Sequence, residues 1–374
     1  MLVKRSEHRK HEHGDSPTND ASRFTLHEAI GSLLFVGIPG PTLEPATRLT
    51  LEALHAGAVI LFRRNVGTPA AVAALTAQLH ALPSRPLVAI DHEGGRVMRL
   101  GPPFTQFPPA AAIGRTGEAL VAYRVGRAMA LELTSVGIDM SFAPVLDVHS
   151  NPANPIIGDR AYASDPALVS EMGIAMMRGL LDGGVIPCGK HFPGHGDTER
   201  DSHVELPVVR RTREELERTE LAPFRAAIAA AIPMLMTAHV LYPALDPDHP
   251  ATLSRAILTD LLRHRLGFAG VIASDDLEMR AIADDQSIGG AAVATLQAGA
   301  DALLVCQDLR RAVEAFNGIE RAVDSGAVPA AAIAAAANRV AQLRALVPRS
   351  SPTVCALPNA AHQELVEEIL RGKT

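Results

Sequence analysis

Residues 185–203 read VIPCGKHFPGHGDTERDSH. An apolar run, Val185 to Cys188, passes directly into a lysine, three histidines and two aspartates within one short segment. Each of those polar groups needs a partner or water, so a cluster this dense at the end of a buried strand costs folding energy. Chains retain such a cost where chemistry is done. Apolar runs recur along the chain with helical segments between them. They predict strands at 32–38, 57–63, 86–91, 138–146, 185–191, 232–239, 269–275 and 301–306.

Between these runs lie Ala-rich or amphipathic stretches, with helices predicted at 69–81, 117–135, 166–182, 213–230, 253–266 and 309–324. Continuous apolar runs, rather than alternating ones, suit parallel strands covered on both faces. Eight strand-helix units predict an α/β fold, a single (β/α)8 TIM-type barrel with its active site at the C-terminal face of the strands. The polar residues fall where that fold requires: Arg63 and Arg64, Asp91, Asp147, Lys190 and His191, His239, and Asp275 all stand at or just past strand ends. A doubly wound nucleotide-binding sheet is the competing architecture, but no glycine-rich phosphate loop follows any strand. The predicted organisation is a disordered polar arm over 1–23, the barrel over 24–347, and a tail over 348–374 with a short helix at 359–371.

Composition narrows the function. The 374 residues are 47% hydrophobic, with 35 Lys+Arg against 41 Asp+Glu and no tryptophan. No basic stretch is interleaved with aromatics, which argues against nucleic acid as a partner. Three widely spaced cysteines, Cys188, Cys306 and Cys355, suit a reducing compartment rather than a disulfide framework. The first twenty residues lack a signal-peptide core, and the run Leu33 to Ile38 is too short to span a bilayer. A cytoplasmic protein without a membrane partner is predicted. The patch His8, His11 and His13 reads as a solvated tail in preference to a metal site.

Four segments at successive strand ends resemble family 3 glycoside hydrolases, in the β-N-acetylglucosaminidase (β-N-acetylhexosaminidase) branch. They are DHEGGRVMR (91–99), APVLDV with PIIGDRA (143–148 and 155–161), GKHFPGHGDTERDSH (189–203) and SDDLEM (274–279). The resemblance runs from about Leu33 to Ala345. It implies a retaining exo-hydrolase that removes terminal non-reducing β-linked N-acetylglucosamine from small glycans such as muropeptides. Asp275 is the implied nucleophile, forming a glycosyl-aspartate. Asp201 and His203 are the implied acid/base dyad, with the Asp201 carboxylate orienting the imidazole and favouring its charged form. Asp91, Arg99, Arg160, Lys190 and His191 are implied to line the sugar subsite. Acid and nucleophile are side chains, so no cofactor or metal is expected.

Each assignment has a competitor. Asp275 could merely cap a helix, and Asp276 is expected to face a neighbouring helix or to bond locally. Arg96 is expected to brace the barrel with Glu93 as its partner, and Asp147 to do likewise for a neighbouring strand. His239 reads equally as a partner of the polar mouth or as a satisfied core histidine. His191 and His195 stand four apart, but Pro193 and Gly194 between them preclude the helical zinc geometry. Lys190 invites a Schiff-base aldolase reading that leaves SDD and DSH unexplained. The loop's Gly/Pro-rich start and charged end suggest that His203 swings in with substrate. A phosphorylase, a β-glucosidase and an inactive sugar-binding barrel are the alternative functions. The scarcity of aromatics disfavours a long polysaccharide cleft.

Overall fold

The computed structural model describes residues 25–198, 206–283, 287–347 and 355–372. The predicted N-terminal arm with His8, His11 and His13, and the loop residues Asp201, Ser202 and His203 with their predicted swing, lie outside the described residues. So does the start of the tail.

Nine parallel strands form the main sheet: β1 (Leu34–Gly37), β2 (Ala58–Leu61), β3 (Leu87–Ile90), β6 (Met140–Ser141), β7 (Ile186–Pro187), β8 (Gly189–Phe192), β9 (Met234–Thr237), β12 (Val271–Asp276) and β13 (Ala302–Val305). Two hairpins lie outside it: β4 (His92–Gly94) with β5 (Val97–Met98), and β10 (Leu241–Tyr242) with β11 (Asp246–Pro250). Order in the sheet is β7-β6-β3-β2-β1-β13-β12-β9-β8. Its two end strands are consecutive in the chain and separated only by Cys188. Cys188 N–H donates to the carbonyls of Ser141 (3.1 Å) and Ala143 (2.9 Å), so the stretch after β6 runs beside both. The sheet is thus a nearly closed parallel barrel, which excludes the open doubly wound alternative.

β1, β2, β3, β9 and β13 are buried along their whole length. One face meets the barrel interior and the other the helices, which is why these runs do not alternate in polarity. The helices are α1 (Leu26–Ser32), α2 (Pro45–Leu54), α3 (Pro69–His80), α4 (Ala110–Gly114), α5 (Ala119–Ser135), α6 (Pro166–Asp182), α7 (Arg213–Arg218), α8 (Leu221–Ala229), α9 (Arg280–Ala283), α10 (Ile288–Ala298), α11 (Leu309–Asp324), α12 (Ala330–Arg344) and α13 (Ala360–Arg371). Starts are written locally: Thr68, Asp165 and Asp308 each accept a backbone N–H of the first turn, and Pro69 and Pro166 occupy first-turn positions.

Besides the split of the run 185–191 at Cys188, the structure departs from the sequence reading in three places. The run 138–146 is regular only at Met140–Ser141, with one further bridge at Val145 to Lys190. The segment 213–230 breaks into α7 and α8, because Pro223 has no N–H for the Thr219 carbonyl; at the break the Glu220 side chain turns inward to Ser150 Oγ (3.0 Å) and Arg211 Nε (3.5 Å). The stretch 253–266 forms a π-helix over Ala256–Arg265 instead of an α-helix.

Candidate active site

At the C-terminal ends of the strands, β3, β8 and β12 deliver charged side chains to one place. Asp91 follows β3 directly, and its two oxygens accept from Lys190 Nζ and Arg99 Nη2, each at 2.8 Å. Glu93 lies two residues on along β4, on the same side of an extended chain. It receives Lys190 Nζ at 2.6 Å and a bidentate fork from Arg160, Nε at 2.9 Å and Nη2 at 2.8 Å. Two carboxylates and three cations therefore form one connected cluster, in which Lys190 joins the two acids. Burying charge is tolerable only with such pairing.

The pairing shows in the acidities. Burial pushes the Asp91 carboxyl up, but Lys190 and Arg99 outweigh it and hold the group well below the carboxylate range. Glu93 is likewise held at about 2, burial being overcome by Arg160 and Lys190. Lys190 stays charged, since its two carboxylates outweigh burial and raise its pKa.

A second layer orients His191. Asp147, fully buried, accepts from His191 Nδ1 (2.7 Å), from the His191 backbone N–H (3.1 Å) and from the His195 backbone N–H (2.7 Å). The Nε2 edge of His191 then lies 3.4 Å from Arg160 Nη2. His195 Nδ1 lies 2.8 Å from Thr198 Oγ1, and burial lowers its pKa to about 4, leaving it neutral. Both rings thus spend Nδ1 on protein partners, and no group of three or more metal-binding side chains occurs among the described residues. Gly196 fits here because a Cβ would fall 1.6 Å from the Val148 carbonyl oxygen.

Asp275 and Asp276 end β12 and face opposite ways. Asp276 accepts locally from Glu278 N–H (3.1 Å) and at long range from Cys306 N–H (3.2 Å) past the end of β13, and burial aided by Glu278 and Asp275 pushes it up to about 7. Asp275 faces the charged cluster. Burial raises its pKa, yet His239, His191, the Asp276 N–H bond and Lys190 together hold it below the ordinary aspartate value. The result is an ionised carboxylate beside a cluster with one surplus cation. Asp275 closes a strand and caps no helix.

His239 is both things the sequence allowed: almost wholly buried, with Nε2 donating to the Asp276 carbonyl (2.9 Å) and Nδ1 2.7 Å from Thr252 Oγ1, and electrostatically coupled to Asp275. Arg96 is a correction. It braces the segment 156–159 through Asp159 (3.1 Å) and the Ile156 carbonyl (2.5 Å), while Glu93, expected as its partner, is taken by Arg160 and Lys190. Asp147 braces a neighbouring strand, as expected, by accepting the His191 N–H of β8, and it also holds the His191 ring and the His195 N–H. The residue that sequence reasoning undervalued is Glu93, whose signal was its two-residue offset from Asp91.

Residues 25–343 match the model of the glycosyl hydrolase family 3 N-terminal domain. A β-hexosaminidase of Nitrosomonas eutropha is 42% identical over 294 residues, 77% of this chain and 84% of that protein. One from Thiobacillus denitrificans is 44% identical over 282 residues, 73% of this chain and 77% of that protein. Among solved structures, a family 3 β-N-acetylglucosaminidase from a Paenibacillus species superposes with a TM-score of 0.90 at 40% identity, covering 94% of this chain and 69% of that one. NagZ from Neisseria gonorrhoeae, solved in complex with zinc ion, gives a TM-score of 0.76 at 32% identity, covering 91% and 98%. With paired acids and cations gathered at the barrel mouth and this likeness along most of its length, the chain belongs to glycosyl hydrolase family 3 and is a hydrolase of glycosidic bonds.

Proposed function

We propose that this protein is a retaining exo-β-N-acetylhexosaminidase built as a single (β/α)8 barrel over residues 24–347, β7 and β8 counting as one interrupted strand. The observation that carries the reading is Asp275, an ionised carboxylate facing a mouth lined by Asp91, Lys190 and His191. The names of the relatives support the choice of sugar.

Asp275 attacks the anomeric carbon as the glycosidic bond breaks, and His203, oriented by Asp201, gives its proton to the leaving oxygen. The neutral imidazole then takes a proton from water, which attacks the glycosyl ester and restores the free carboxylate with net retention. Asp91, Arg99, Arg160, Lys190 and His191 form the sugar subsite. Asp91 has used one lone pair on each oxygen and keeps others for vicinal hydroxyls. Arg160 acts there largely through Glu93, on which two of its donors are spent.

Small glycans such as muropeptides, met in the cytoplasm, suit this site. Among the described aromatic side chains only Phe62 and Tyr123 are not buried. Tyr123 lies on α5 and bonds Asp182, so little aromatic surface is left to grip a long chain. No described helix is long and apolar enough to cross a membrane.

Turnover of an aryl N-acetyl-β-glucosaminide beside the matching aryl β-glucoside, with and without phosphate, tests the assignment. The acetamido sugar should win by well over about tenfold in kcat/KM, the margin expected when a site bonds a group its competitor lacks. The products should be unchanged by phosphate. Equal rates would favour a β-glucosidase, and sugar 1-phosphate a phosphorylase.

A further inference from the structure

Helix α13 lies far along the chain from the charged cluster, yet it is tied to the segment that carries Arg99. Its N-cap, Asn359, accepts the His362 N–H (3.2 Å) and so fixes that residue at the start of the helix. His362 Nδ1 donates to Glu132 of α5 at 2.7 Å. Glu132 is 1% exposed, and its carboxylate also accepts the Thr105 N–H (2.9 Å) and Thr105 Oγ1 (2.6 Å). Three donors from two distant stretches thus meet on one buried carboxylate, which would otherwise be an uncompensated charge.

Thr105 belongs to the segment 99–109 between β5 and α4. That segment is pinned again at Phe107, whose carbonyl accepts Gly95 N–H at 2.8 Å and whose ring meets that of His362 at 6.4 Å. Contact with the Glu93-Gly94-Gly95 turn is close. A Cβ on Gly94 would fall 2.4 Å from the Pro108 oxygen, and one on Gly95 2.7 Å from the Pro109 Cβ; both glycines have positive φ. Arg99, at the head of the segment, donates to Asp91 through Nη2, while its Nε is buried without a hydrogen-bond partner. Its own bonds therefore hold it only partly, and its place depends on how the segment is seated.

We propose that α13 positions the sugar subsite: the His362–Glu132–Thr105 node seats residues 99–109, and through them the Arg99–Asp91 pair. His362, Glu132 and Thr105 touch no substrate and are positioning residues. The inference rests on the reading of Asp91 and Arg99 as sugar-binding groups.

Steady-state kinetics on the full chain test it, at a temperature where circular dichroism shows each variant folded. His362→Ala should raise KM about tenfold with kcat within about twofold, the loss expected when one hydrogen bond to a charged group is weakened. His362→Asn, whose amide can place a donor where Nδ1 stands, should return KM close to the native value. Thr105→Val removes one donor to Glu132 from the other side and should raise KM in the same sense, which keeps the test open if His362→Ala does not fold. A lowered melting temperature with KM unchanged in either variant overturns the proposal. Asp91→Ala in parallel separates the two levels: if it leaves KM untouched, the subsite reading fails, whereas its effect without a His362 effect sinks only the role of α13.

Discussion

Asp275 and Asp276 are adjacent, identical in chemistry and opposite in state, because an extended chain sends neighbours to opposite faces. One meets imidazoles and an ammonium and stays ionised; the other meets Glu278 and burial and holds its proton up to about pH 7. That contrast is environment acting on one functional group. Asp147 shows how far such control extends from the substrate, since it fixes both the ring and the backbone of His191 while wholly buried. Asp147→Asn replaces an acceptor oxygen by an amide facing an N–H, leaving a buried donor unpaired. Urea denaturation should show a loss of about 2–3 kcal/mol. The value of kcat/KM should fall at least about tenfold as His191 loses its fixed orientation. Unchanged values of both would mean that the Asp147–His191 bond does no positioning.

At the scale of elements, the sequence announced its strands because every one of the eight apolar runs contains a strand of the sheet, and six of them close at or just before a charged residue or a histidine. The helices 166–182 and 309–324 were legible to the residue, through Pro166 behind Asp165 and through the Asp308 cap. Where the reading failed, one cause was a local breaker passed over and another a tertiary contact. The helix expected over 213–230 breaks because Pro223 has no N–H to give the Thr219 carbonyl, so α8 starts anew with proline in its first turn and Glu220 turned inward to Ser150 and Arg211. β6 is short because the stretch after it runs beside two consecutive strands at the Cys188 interruption. Of the site, Asp91, Arg99, Lys190, His191 and Asp275 were legible as residues. Their pairing was not, since Glu93 and Arg160 find one another across 67 positions, and no local pattern encodes that meeting.

For the whole molecule, the buried ionisable groups set an acid limit. Burial lowers His92 and His195 from 6.5 to about 4, so between those values the unfolded chain binds two protons that the native state does not. Asp276, raised from 3.8 to about 7, binds one extra proton in the native state over the same range and opposes them. Glu220 and Asp301, likewise raised by burial, oppose them too, so the acid loss falls chiefly below pH 4. There the unfolded chain binds protons that Glu93 and Asp147, each held at about 2, do not bind in the native state, and stability should fall. Urea midpoints from pH 6.5 to 2 measure the slope, and Asp276→Asn should steepen it above pH 4 by removing one of the opposing groups. Stability that is flat or rises between pH 4 and 2 would contradict this assignment of charge states.

The chemistry proposed for the barrel mouth requires a covalent bond between the sugar and one particular oxygen atom. His203→Ala, which slows release of the glycosyl group, should accumulate that species on an activated aryl N-acetylglucosaminide. Quenching in acid, proteolysis and mass spectrometry should find one N-acetylhexosamine on the peptide spanning 271–279, localised to Asp275. The same label on a different residue, or Asp275→Ala turning over at a near-native rate, would contradict the account.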